Sequence, residues 1–231
     1  MLPFDLNFLV YEISIWFLPV IIAITFHEAA HGFAAKLLGD SLAWRLGRVS
    51  LNPMKHVDPF GTIVLPALLL LFRAPFLFGY AKPVPVNFRA LQPPRFGTVL
   101  VAAAGPIMNL LLATLAALAF HLVVYFPATT AQWLVQNLKN AILINVVLAV
   151  FNLLPIPPLD GGRIAVGLLP KVLGSRLSRV EPYGLLLVIA LFFILPLLGT
   201  QLGFNLDFVS QIVAQSSNSI IGVVLHLTRY G

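Results

Sequence analysis

The sequence predicts an all-α polytopic membrane protein of about five to six transmembrane helices. A re-entrant or short extended segment is expected between the first and second core helices. Three observations carry this reading. Of 231 residues, 59% are hydrophobic and only 10% charged, against about a quarter charged in soluble domains. Five apolar stretches reach the roughly 20 residues that a bilayer crossing needs. The basic residues fall between those stretches rather than along one face, so the net charge of +6 reads as a topology signal and not as a nucleic-acid footprint. The expected surroundings are a lipid bilayer, with no nucleic-acid partner. With no cysteine in the chain, disulfides are excluded.

The first stretch, 8–36, follows an N-terminus without a basic n-region, so it is expected to be retained in the membrane. Pro19 within it would free the carbonyl of Ile15 and bend the helix. Pro59 to Phe72 is short for a crossing, with Pro66 in its middle, and suits a re-entrant hairpin better. Stretch 98–126 carries no Asp, Glu, Lys or Arg. Stretch 139–158 runs into Pro155, Pro157 and Pro158, which prevent regular helix. Stretch 183–206 is apolar, whereas 208–228 is crowded by Gln211, Gln215, Ser216, Ser217, Asn218 and Ser219, so it either lines a bundle interior or lies in the interface. With 59–72 re-entrant, thirteen of the fourteen Lys and Arg residues share one side and only Lys139 lies opposite. The positive-inside bias then puts the N-terminus outside and the C-terminus in the cytoplasm. The whole chain, 1–231, reads as one membrane-embedded domain, with a core of about 8–170 and C-terminal helices over about 183–228.

Inside the first apolar stretch stand His27-Glu28-Ala29-Ala30-His31. On a helix, histidines at i and i+4 share one face, so both imidazoles can grip one Zn²⁺ while Glu28 handles a proton. Taking Lys36 as the interface marker puts His31 about 7 Å and His27 about 13 Å further in, at ~1.5 Å per residue. A catalytic zinc needs a third protein ligand and an open position. The best candidate is Asp160 in Asn152-Leu-Leu-Pro-Ile-Pro-Pro-Leu-Asp-Gly-Gly162, where unwound backbone can swing a carboxylate inward and Gly161 and Gly162 permit a tight turn or close packing.

These residues, with Ala104-Gly-Pro-Ile-Met-Asn109, resemble the site-2 protease family of intramembrane zinc metalloproteases, in its compact prokaryotic form without PDZ or CBS domains. The resemblance covers most of residues 20–170. It implies His27, His31 and Asp160 as ligands of one Zn²⁺ per chain, Glu28 as general base, and a three-helix core carrying the three motifs. It further implies a multi-pass protein of the cell membrane, its active site in the cytoplasmic half of the bilayer. Its expected substrates are single-pass transmembrane proteins, cut in regulated intramembrane proteolysis or in clearance of signal-peptide remnants.

Other positions admit two readings each. Asn152 resembles the family's asparagine near the metal and could donate to a developing oxyanion; alternatively it, Asn145 and Asn109 tie helices together. Gly79-Tyr-Ala-Lys-Pro-Val-Pro-Val-Asn87 also resembles a segment of compact members. Pro83 and Pro85 strip N–H groups from one edge of an extended strand, leaving Val84 and Val86 with donors to bind an unwound substrate by strand addition. The same prolines could equally make a rigid connector. His56 and Asp58 read as a solvated loop pair, with a place at the active-site mouth or a second metal as the alternative, and His121 as a hydrogen-bonded packing residue. Two other functional classes compete: a metal transporter, which would need a polar path through both leaflets, and a scaffold that binds membrane proteins without cutting them.

Overall fold

A computed structural model describes residues 6–64, 68, 71 and 79–229. The chain is an all-α membrane protein: among the described residues there is no strand, and five helical segments are long and apolar enough to cross a bilayer. These are α1 (Leu6–Leu37), α3 (Pro94–Ala119, running on in a tighter turn to Tyr125), α4 (Ala128–Asn152), the composite Lys171–Leu202 and α9 (Phe208–Leu227). Between α1 and α3 lies a short α2 (Leu42–Arg45). After α4 comes α5 (Asp160–Leu168), then the composite segment of α6 (Lys171–Ser178), α7 (Gly184–Ile189) and α8 (Leu195–Leu202).

One boundary differs from the sequence expectation. Helix α4 begins at Ala128, eleven residues before Lys139, so this lysine sits exposed on a helix flank rather than in a loop. A long aliphatic stem lets a lysine ride a helix while its ammonium reaches water, so a charge need not end a span. At its other end the helix stops at Asn152, and the proline-rich stretch beyond it is not regular helix, as expected. Most of the 59–72 stretch lies outside the described residues. Its described start, Pro59–Val64, is a π-helical turn capped by Asp58, whose Oδ1 accepts from the N–H groups of Phe60 (3.1 Å) and Gly61 (2.7 Å).

Helices α1, α3 and α4 pack on one another, α5 packs on α3, and α9 leans on α4 and α3. Apolar burial alone draws helices together weakly in lipid, so close backbone approach and interhelical hydrogen bonds must contribute. Small residues supply the approach: Ala113, Ala116 and Ala117 of α3 meet Ile142, Val146 and Val150 of α4 and Val213 and Val224 of α9. Polar bolts supply the rest. Trp133 donates to Ser14 Oγ (3.0 Å), and Asn140 donates its amide to the carbonyl of Ile15 (3.0 Å). That carbonyl is the one Pro19 strips of its helical partner, so α4 satisfies the group the proline exposes.

The segment joining α2 to α3 is tied to α1 at two levels. Asp40, 2% exposed at the end of α1, accepts from Leu42 N–H (2.9 Å) and Asn87 N–H (2.6 Å). Gln92 N–H bonds the carbonyl of Leu38 (2.9 Å). The segment 79–86 forms no strand, and most of its donor edge is already used. Tyr80 N–H goes to Gly61 O (3.0 Å), Lys82 N–H to His56 O (2.9 Å) and Val84 N–H to Glu28. Among the described residues, Val86 N–H has no such partner.

Asp40→Ala should leave the N–H of Asn87 unsatisfied and cost about 1–3 kcal/mol. Thermal unfolding in lipid should register the loss, and amide exchange at 84–88 should rise.

Candidate metal centre

The i, i+4 spacing on α1 aims His27 and His31 at α3, and both are buried. Their rings meet edge to face, 4.6 Å between centroids. Asp160 arrives from the opposite direction. The prolines after α4 end that helix and turn the chain, and α5 starts at Asp160 itself, where a carboxylate suits the positive end of the helix dipole. The turn is held by contact with backbone: a Cβ at Gly161 would overlap the carbonyls of Leu153 and Leu154, and one at Gly162 the backbone of Ile156 and Pro157. Close packing, rather than positive φ, is what these two glycines provide.

Three ligand atoms converge. His27 Nε2 and His31 Nε2 stand 3.0 Å apart, and each is 3.3 Å from Asp160 Oδ2. The outer ring nitrogens decide what the inner ones can do. His31 Nδ1 lies 2.7 Å from the carbonyl of Val101, which can only accept, so Nδ1 carries the proton. His27 Nδ1 lies 2.5 Å from Asn109 Oδ1. The same asparagine donates its amide to Asn145 Oδ1 (2.8 Å) and to the carbonyl of Ala23 (3.2 Å), which fixes its oxygen toward the histidine. Both Nε2 atoms therefore present bare lone pairs to each other and to a carboxylate oxygen that is buried without a hydrogen-bond partner. Three acceptors with no donor between them repel unless a cation sits among them. Ligand atoms around tetrahedral Zn²⁺, at bond lengths of about 2.0–2.1 Å, stand roughly 3.3 Å apart. The trio fits that ion and leaves a fourth position open.

The wall behind the site is backbone. A Cβ on Gly105 would lie 2.6 Å from His27 Nε2 and nearer still to His31 Nε2. Helix α3 approaches the imidazoles this closely because Gly105 has no side chain.

Glu28 sits half-buried beside the ligand pair, its Oε2 accepting from Val84 N–H at 2.8 Å. Val84 is buried, and its methyl packs where α1 has Gly32. Asn152 points elsewhere: its amide donates to Leu148 O of its own helix (3.0 Å). The asparagine in contact with a candidate ligand is instead Asn109, ranked behind Asn152 by sequence reasoning. Its place in Gly105-Pro-Ile-Met-Asn109, one helical turn beyond the glycine, was the available signal. His56 is not solvated as expected; it is 2% exposed and donates from Nε2 to Ser50 O (2.8 Å), because the loop folds over it. Asp58 serves as a turn cap. His121 bonds Thr228 O (2.8 Å), tying the end of α3 to that of α9.

Gly105→Ala should displace the imidazoles and reduce bound zinc to background, read by metal analysis of purified protein. Asn109→Leu should weaken zinc affinity by about 10–100-fold through loss of the tautomer lock, read by competition with a chelator.

Comparison with known proteins agrees with this geometry. Residues 122–197 match peptidase family M50. A Bacillus subtilis (strain 168) protein named as a candidate zinc metalloprotease, YwhC, is 40% identical over 196 residues, which is 80% of this chain and 84% of that protein. A Mycolicibacterium smegmatis protein named as a candidate zinc metalloprotease, Rip2, is 30% identical over 172 residues, covering 74% of this chain and 63% of its own length. Its Mycobacterium tuberculosis H37Rv namesake is 28% identical, covering 74% and 64%. The chain thus spans less than two thirds of the two Rip2 proteins. No solved structure matches. A buried His–His–Asp constellation in a chain with five membrane-length helices, joined to 40% identity across most of YwhC, means that this chain belongs to peptidase family M50, the site-2 protease family.

Proposed function

We propose that the protein is a zinc-dependent intramembrane endopeptidase, hydrolysing peptide bonds within or near transmembrane segments of single-pass membrane proteins. The observation that carries this reading is the convergence of two bare Nε2 lone pairs, from a helix of membrane-spanning length, with one unpartnered carboxylate oxygen beside Glu28. His27, His31 and Asp160 would hold Zn²⁺, which when bound supplies a Lewis acid and lowers the pKa of water. Glu28 is the proton carrier: it takes a proton from the attacking water and returns one to the leaving amine. Charge placement supports an active site in the cytoplasmic half of the membrane, since Lys36 ends α1 within two turns of His31. Regulated proteolysis or clearance of signal-peptide remnants is the corresponding role.

A peptide bond inside a helix has its carbonyl engaged, so a substrate must unwind before attack. Unwinding orphans backbone groups, and a strand edge can satisfy them. Segment 84–87 is suited to this. Pro83 and Pro85 leave one edge without donors, and Val86 N–H has no partner among the described residues. Val84 N–H, by contrast, is committed to Glu28. In this reading Val86 pairs with substrate, while Val84 holds the base next to it. Asn152 spends one amide hydrogen on Leu148 O and keeps a second that could serve a developing oxyanion.

Glu28→Gln should keep one zinc per chain and lower cleavage of a single-span reporter by about 10²–10⁴-fold. A transporter would keep its metal flux in that variant, and a scaffold would leave the reporter uncut by either form. Val86→Pro should retain zinc and cut cleavage at least about tenfold; unchanged turnover would rule out strand pairing.

A further inference from the structure

Helix α9 carries polar side chains where a bilayer has nothing to bond them. Its 20 residues, Phe208–Leu227, rise about 30 Å, the thickness of the hydrocarbon core. No length is spare for sliding the polar stretch into the interface, and Gln215 to Asn218 fall at the middle. One face of the helix is accounted for: Val209, Val213, Ser217 and Val224 are buried, two of them in the core shared with α3 and α4. The other face is not. Gln211, Gln215 and Asn218 are exposed, and no side-chain amide among them bonds any described residue. An uncompensated amide in hydrocarbon is costly, so these side chains need a partner.

The spacing indicates what covers them. Phe208, Gln211, Gln215, Asn218 and Gly222 are all exposed and follow one another at steps of three, four, three and four. That spacing puts all five on one stripe of the helix, opposite its buried face, as a seam with another helix requires. A Cβ on Gly222 would meet nothing within 4 Å, so this end of the seam is open to close approach by another helix.

We propose that α9 is a self-association surface, pairing with α9 of a second copy of this chain about a two-fold axis along the membrane normal. Two copies in one membrane share the same orientation, so their α9 helices run parallel and each seam residue faces its own image. That arrangement selects the residue type. A charged side chain would repel its image, and an aliphatic one gains little in lipid. An amide both donates and accepts, so it is complementary to itself. Gln211, Gln215 and Asn218 stack three such layers, and Gly222 lets the backbones close beneath them.

The chain contains no cysteine, so single cysteines can be introduced without background. In liposomes, oxidation should cross-link Gln211→Cys and Gly222→Cys between copies at least about fivefold more than the off-seam variants Ile212→Cys and Val223→Cys, both exposed positions. Energy transfer between labelled chains should show the double variant Gln215→Leu, Asn218→Leu dimerising about tenfold more weakly. Retained zinc in that variant would separate lost pairing from lost folding. The proposal is overturned by a monomeric chain in bilayers, by cross-linking indifferent to the seam, by an undiminished double-leucine dimer, or by adducts formed only with a different protein.

Discussion

Two hydrogen bonds on the far sides of the imidazoles govern the rest of the structure. Val101 O and Asn109 Oδ1 each accept an Nδ1 proton, and that choice leaves Nε2 of His31 and His27 bare and facing Asp160. Were either tautomer reversed, a proton would occupy the space between the rings and the trio would satisfy itself. Both acceptors belong to α3, so the helix that carries no acidic residue of its own decides what the histidines of α1 can bind. Asn109 is in turn held by Asn145 on α4, so the lock passes through all three central helices.

Such a lock needs backbones close together, and in lipid that closeness rests on small residues. Gly105 lets α3 touch the imidazoles, Ala113 and Ala117 let it touch α4, and Gly167 of α5 comes against Val99 of α3. Prolines add the opposite service by exposing carbonyls to be bonded from outside. Pro19 frees Ile15 O, and Asn140 takes it. Several polar groups of this bundle are thus joints between helices: Asn109 with Asn145, Asn140 with Ile15 O, and Trp133 with Ser14.

The helical class and the approximate spans were legible in the sequence because apolar runs of twenty residues, in a chain so poor in charge, suit a bilayer and little else. The convergence of His27, His31 and Asp160 was legible because an i, i+4 histidine pair and a carboxylate after a proline-broken helix are costly in a membrane without a common purpose; the structure brings the three together. What stayed hidden depends on three-dimensional neighbours. Lys139 looked like a boundary because charge is local, whereas its reach to water depends on the helix flank it occupies. Asn109 and Asn152 are the same chemistry, and only the crossing of α1 and α3 decides which one meets a histidine. His56 looked solvated because its neighbours are polar, yet the loop buries it. Val84 and Val86 look equivalent in sequence, but a single carboxylate from α1 distinguishes them.

A wall of main chain has no rotamers. At Gly105 the chamber therefore cannot widen by swinging a side chain aside, and its size is fixed by how α3 lies on α1. Calcium, which wants six to eight oxygens at about 2.3–2.6 Å, finds here two nitrogens and one carboxylate. Discrimination against hard, oxygen-seeking ions thereby rests on the donor set, and the unyielding backbone keeps that set in place.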